Sequence, residues 1–191
     1  MNEGFKSSLV VENDGQPLNA SVYAALLTDL PRARGLNEAL VIADSARKTL
    51  IGPGLLTVNL RCDPALTGDE ADATVTLQRI WSSDPEAYPV AGQKKKKLTP
   101  WTHHLLIKGE VFVGEGCAAL QAVFEDHALI ASLQLQAVIN VPVFNGRGEC
   151  FATFNVLGGA PQWKPEDVSL ARLLAALCSP AIFQATTNNL K

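Results

Sequence analysis

Asn140, Thr153 and Asn155 are the residues of this chain whose types and spacing come nearest to a recognition site. They stand in two apolar runs, Val138-Ile139-Asn140-Val141-Pro142-Val143 and Cys150-Phe151-Ala152-Thr153-Phe154-Asn155-Val156-Leu157, joined by Asn145-Gly146-Arg147-Gly148. Such runs around a glycine-containing turn read as an antiparallel hairpin in which alternate side chains share a face. A turn at Gly146-Arg147 pairs Asn140 with Thr153, and a turn at Asn145-Gly146 pairs Asn140 with Phe151. Either register gathers Asn140, Thr153 and Asn155 on one face. A buried amide without a partner costs about 1–3 kcal/mol, so the row must bond something. It either lines a pocket and bonds a ligand, or bonds loop backbone and holds a lid in place.

Arg79 and Trp81 are two positions apart in a run rich in Thr, Val and Ile, which places them on one face of a strand. Arg79 can grip an anion through a bidentate contact, and Trp81 can stack on a planar group. The alternatives are an arginine facing solvent or a salt-bridge partner, and a tryptophan filling the core. Tyr88 and Trp101 flank the connection that carries Lys94-Lys95-Lys96-Lys97; they either close over a pocket or pack the loop on the core. The lysine run is either a phosphate or acidic-lipid site or a solvated loop. His103 and His104 are adjacent, so on a helix their rings diverge by about 100° and are poorly placed to share one metal. His104 alone remains a pocket candidate. No histidine has the nucleophile or carboxylate partner that catalysis needs. The cysteines, at 62, 117, 150 and 178, show no C-x-x-C pair and no histidine cluster, which excludes metal-ligand and thioredoxin-like spacing and leaves buried reduced thiols as the expectation.

The elements that must position these groups follow from composition and pattern. With 191 residues, 47% hydrophobic and 18% charged, the chain suits one soluble globular domain. A flexible arm is expected over residues 1–18 and the domain over 19–191. The net charge of -3 exerts no general pull on nucleic acid. No apolar run approaches the ~20 residues of a membrane span, and the start lacks a signal-peptide pattern, so a cytoplasmic protein is expected. Helices are expected from Asn19 or Ser21 to Asp29-Leu30-Pro31, and from Gly35 to Leu50. Leu55–Cys62 alternates, with Leu56, Val58, Leu60 and Cys62 on one face and Thr57, Asn59 and Arg61 on the other. A second strand covers 73–83, with Val75, Leu77, Arg79 and Trp81 on one face, and a long connection follows. Further elements are a helix from Pro100 to Ile107, a short strand over 110–114, helical turns from Cys117 to Leu133 broken near Phe124-Glu125, the hairpin, and a last helix from Pro165 that Ser179-Pro180 should kink or break. Short-turn strand neighbours with helices at both ends give an α+β domain built on an antiparallel sheet.

In order along the chain, Arg79-Ile80-Trp81-Ser82-Ser83-Asp84-Pro85-Glu86-Ala87-Tyr88-Pro89-Val90, Thr99-Pro100-Trp101, Phe124-Glu125-Asp126-His127, Ile139-Asn140-Val141-Pro142-Val143 and Thr153-Phe154-Asn155-Val156-Leu157 resemble the GAF domain family, in particular its stand-alone bacterial members. The resemblance spans about 36–182. It implies a six-stranded antiparallel sheet with the terminal helices on one face, and loops and short helices roofing a ligand pocket on the other. It also adds Phe124 to the ligand-binding candidates Arg79, Trp81, Tyr88, Trp101, His104, Asn140, Thr153 and Asn155. Free methionine sulfoxide reductases of this fold use cysteines in the middle loops, but Thr102-His103-His104 and Ala131-Ser132 stand there. A bilin-binding Cys-His pair is missing too. The expected function is a sensory or regulatory domain holding an unidentified small molecule non-covalently. It is expected to have no metal, no output domain and no nucleic-acid or membrane partner, and to dimerise through its terminal helices. The alternatives are a thiol-dependent reductase or a dimerisation or scaffolding module with a filled core. Neither ligand nor cofactor identity is legible.

Overall fold

Proline and glycine set the boundaries of the first helices in the computed structural model, which describes residues 20–63, 74–90 and 93–188. The arm expected over 1–18 and most of the loop expected over 63–72 lie outside the described residues. Helix α1 (Ala20–Asp29) passes into a 3₁₀ turn at Leu30–Arg32, because Pro31 has no N–H to carry the α ladder on. Helix α2 (Leu36–Leu50) starts after Gly35 and buries Ala39, Leu40, Ala43 and Ala46 along one stripe. Arg47 lies in the same stripe, fully buried. Its Nε donates to Asp44 Oδ1 at 2.8 Å, Nη1 to Gly52 O at 2.8 Å and Nη2 to Gly54 O at 3.1 Å. One guanidinium thus ties the end of α2 to the start of the first strand.

The strands are β1 (Gly54–Arg61), β2 (Thr74–Ser82), β3 (Gln93–Lys97), β4 (Phe112–Glu115), β5 (Ala137–Phe144) and β6 (Cys150–Gly158). They form one antiparallel sheet in the order β3-β2-β1-β6-β5-β4. Helices α1, α2 and the long α6 (Pro165–Asn188) cover one face, where Leu40, Leu56, Val58, Phe154, Val156, Leu174 and Ile182 form the main core. Burying each side chain of this size is worth about 1.5–3 kcal/mol. The other face is roofed by α3 (Pro100–Thr102), the π turn His103–Ile107 that continues it, α4 (Gly116–Val123) and α5 (His127–Ser132). Two smaller apolar clusters lie beneath that roof. The α+β architecture, with the terminal helices on one face and loops and short helices over the other, is the expected one.

Five local expectations are corrected. Val58 pairs with Trp81 but Asn59 pairs with Arg79, so Ile80 is an extra residue in β2. The bulge reverses the alternation: Arg79 stays on the roofed face with Leu77, while Trp81 turns into the helix-side core and donates its indole N–H to Asn37 Oδ1 at 3.0 Å. In the hairpin neither expected register occurs, because Asn140 pairs with Asn155 and Pro142 with Thr153. Asn145 Oδ1 accepts from the amides of Arg147 at 2.9 Å and Glu149 at 3.1 Å, which holds a wider loop, and a bulge at Phe151 absorbs the extra residue. The lysine run is not a loop but edge strand β3, paired with β2 from Gln93↔Gln78 to Lys97↔Thr74; lysines are a common guard of an open edge. Helix α6 is not broken at Pro180. Pro180 and Ala176 are exposed, so the carbonyl that proline leaves unbonded faces the solvent side of the helix. Finally, 165–186 is, by length and mean hydropathy (22 residues, 1.5), apolar enough to cross a bilayer. Here that helix lays Ala171, Leu174, Ala175, Cys178 and Ile182 into the core.

Candidate functional site

The roofed face of the sheet centre carries polar side chains where an apolar core would normally sit. Asn140 of β5, Asn155 of β6 and Thr57 of β1 are neighbours across three strands, through Asn140↔Asn155 and Thr57↔Asn155. All three are buried. Asn140 Nδ2 donates to Asn155 Oδ1 at 2.8 Å. Asn155 Nδ2 in turn reaches Thr57 Oγ1 at 3.3 Å and Thr153 Oγ1 at 3.2 Å. The remaining acceptor, Asn140 Oδ1, takes the indole N–H of Trp101 at 3.1 Å. The row therefore forms a continuous hydrogen-bonded chain with the roof as its first donor.

Local sequence explains why Trp101 is there to donate. Thr99 caps α3, accepting from the Thr102 amide, while Thr102 Oγ1 accepts from the Thr99 amide at 2.6 Å. Pro100 occupies the first helical position, which it favours. The indole packs edge-on against Phe112 and Phe124, with centroids 6.5 and 5.6 Å away. Lys96 of β3 places its ammonium 5.0 Å from the Trp101 ring centroid, within cation–π range.

Tyr88 and Arg79 make the second half of the site. After β2 the chain turns at Asp84, whose carbonyl accepts from the Tyr88 amide at 2.9 Å and from Ser82 Oγ at 3.0 Å. Tyr88 is thereby folded back over Arg79, whose Cζ lies 3.8 Å from the ring centroid. Arg79 Nη1 donates to Pro89 O at 2.9 Å, and its buried Nε makes no hydrogen bond. The phenol O–H donates to Asp126 Oδ2. Burial, reinforced by that carboxylate, pushes the Tyr88 phenol well above its ordinary value, and burial lowers the Arg79 guanidinium. Asp126 occupies the N-cap position of α5, but its side chain accepts no helix amide; it is turned to the tyrosine instead.

Between these groups lies a cavity of about 70 Å³. Of the nine candidates, Arg79, Tyr88, Trp101, Phe124, Asn140 and Asn155 border it. Thr153 stands behind, bonding Asn155. Trp81 is on the opposite face of the sheet. His104 is held outside, with Nε2 3.1 Å from Val111 O and Nδ1 3.0 Å from Glu110 Oε2. Thr57, Asn59, Lys96 and Asp126 also border the cavity but were not among the candidates. The alternation of β1 already set Thr57 and Asn59 apart from its apolar face. Asp126 was legible as a helix N-cap within Phe124-Glu125-Asp126-His127, but nothing in the sequence pointed to its partner, 38 residues away.

Among the described residues no cysteine, serine or histidine borders the cavity, and no His, Cys, Asp and Glu group is arranged to hold a metal. Cys150 and Cys178 are buried as expected, but Cys62, just past the end of β1, and Cys117, in the first turn of α4, are exposed. Burial raises the Cys150 and Cys178 thiols to about 11 and about 12, so both stay protonated at neutral pH. The arrangement is equipped to hold a polar molecule.

The same architecture recurs in known proteins. The chain is similar to the GAF domain of a phosphoenolpyruvate-protein phosphotransferase from Coxiella burnetii, with a TM-score of 0.66 and 12% identity over 90% of this chain and 96% of that one. The GAF domain of a two-component sensor histidine kinase from Bacillus halodurans gives 0.61 and 13%, over 82% and 99%. The chromophore-binding domain of a bacteriophytochrome from R. palustris gives 0.57 and 13%, over 88% of this chain and 62% of that one. At such identities the likeness is one of fold. A comparison with curated protein sequences returned no match. The family model of the GAF domain, however, matches residues 15–182. The chain belongs to the GAF domain family, whose members are commonly small-molecule sensory domains.

Proposed function

We propose that this chain is a sensory or regulatory domain that binds a small molecule non-covalently on the roofed face of its sheet. The observation that carries the reading is the cavity itself: an arginine, a lysine, three asparagines and a tyrosine–aspartate pair converge on about 70 Å³ of space that close packing would otherwise fill. A filled-core scaffolding module has no use for that convergence. Non-covalent binding is favoured because none of the cysteines borders the cavity. Pockets for drug-sized molecules run to about 300–1,000 Å³, so the ligand is small compared with the chromophore implied by the R. palustris neighbour. The helix layer, with exposed Leu27, Val41, Leu173 and Phe183, supports a homodimer through the terminal helices.

Native mass spectrometry of freshly purified protein tests both parts. A dimer carrying extra mass that is released on denaturation is the expected result. An adduct that survives denaturation would exclude non-covalent binding. If the native mass carries no excess and no metabolite in a thermal-shift panel stabilises the protein, the binding reading fails.

A further inference from the structure

The chemical class of the ligand follows from the charges and size of the cavity. Among the described residues, Arg79 and Lys96 bring two positive charges to it, and Asp126 is the one carboxylate that borders it. Tyr88, protonated and donating to Asp126, adds no charge. One further negative charge would balance the site. Arg79 borders the cavity with its guanidinium plane already fixed by stacking on Tyr88 and by the bond to Pro89. Lys96 is opposite Val75 in the β2–β3 ladder, on the same face as Leu77 and Arg79. Size narrows the choice. A dry engineered cavity of about 150 Å³ accepts benzene, and the space here is less than half of that.

We infer that the ligand is a small monoanion, a carboxylate or planar oxyanion of about three to six non-hydrogen atoms, held between Arg79 and Lys96. This rests on the small-molecule-binding reading above and specifies its ligand class. A carboxylate or nitrate-like plane can accept from the Arg79 guanidinium while its second oxygen faces the Lys96 ammonium. Apolar Leu77 and Val138 leave room for a methyl group.

Formate, acetate and nitrate, each titrated into the protein at low ionic strength, are the probes, with acetamide as the neutral counterpart of acetate and benzoate as an oversized anion. Binding is read by calorimetry and thermal shift. At least one small anion should bind saturably, and acetamide and benzoate should not. Arg79→Gln and Lys96→Gln should each weaken binding about tenfold or more. Lys95→Gln removes the same charge from the opposite face of β3 and should leave affinity unchanged; should Arg79→Gln fail to fold, the contrast between positions 96 and 95 decides. Equal binding of acetate and acetamide overturns the anion class while leaving small-molecule binding in place. An identical response in all variants marks a general salt effect and also overturns it. If none of these probes binds and native mass spectrometry shows no other ligand, both readings fall.

Discussion

Trp101 and Asn140 are joined across 39 positions of sequence by one buried hydrogen bond, indole N–H to Oδ1, at 3.1 Å. It is the point at which the roof is fastened to the sheet centre. Trp101→Phe keeps most of the apolar contact but leaves Asn140 Oδ1 without that donor. Urea unfolding should show a loss of about 1–3 kcal/mol. A loss below about 0.5 kcal/mol would mean that the row does not depend on the roof.

Arg47 should be far more sensitive than an exposed arginine. It is fully buried, bonds two backbone carbonyls and neutralises buried Asp44. Arg47→Ala strands those acceptors and should destabilise the fold by about 3–5 kcal/mol. Lys48, which also reaches Asp44 at 2.8 Å, keeps the carboxylate partly compensated. Chemical denaturation of the variant beside Arg34→Ala, whose ion pair is largely exposed, gives the comparison; near-equal losses would contradict this role.

Gly54 cannot accept a side chain. Its φ is +148°, and a Cβ there would sit 2.0 Å from the carbonyl oxygen of Leu157 on the paired strand. Gly54→Ala should break the first rung of the β1–β6 ladder and lower the melting temperature sharply. Gly146→Ala, at a loop position with open space around it, should be nearly neutral. Thermal melts of the pair measure the contrast.

The thiols predict both a reactivity pattern and a pH dependence. Ellman's reagent should quickly modify exposed Cys62 and Cys117, and reach Cys150 and Cys178 only on unfolding. The unfolded thiol ionises near its ordinary 9.0, the folded Cys150 near 11 and Cys178 near 12. Raised folded values mean that the stabilisation is complete below about pH 9 and is lost as pH climbs toward 12. Urea midpoints from pH 8 to 10.5 should fall, and fall less steeply in Cys178→Ala. An unchanged slope would place that thiol in contact with solvent.

The residues that were legible owe it to period. The apolar stripe of α2, the alternation of β1 and the polar row of the hairpin are local patterns, and each survives because packing on the two faces of the sheet demands it. Bulges are different: an inserted residue costs little locally and is chosen by the partner strand. Ile80 therefore moved Trp81 to the other face, and Phe151 shifted the partner of Asn140. Strand β3 was hidden because its lysines carry the composition of a solvated loop. The bond from Tyr88 to Asp126 was illegible for a simpler reason, since its two ends belong to unrelated local segments.

The bulge at Ile80 also decides which layer each side chain of β2 enters. A regular strand would point Arg79 and Trp81 the same way, and the sheet would insulate the helices from the cavity. Instead, the two side chains stand back to back, with the guanidinium at the cavity and the indole bonded to Asn37 on α2. One inserted residue thus gives β2 a polar side chain in each layer of the domain, the guanidinium at the cavity and the indole in the helix layer.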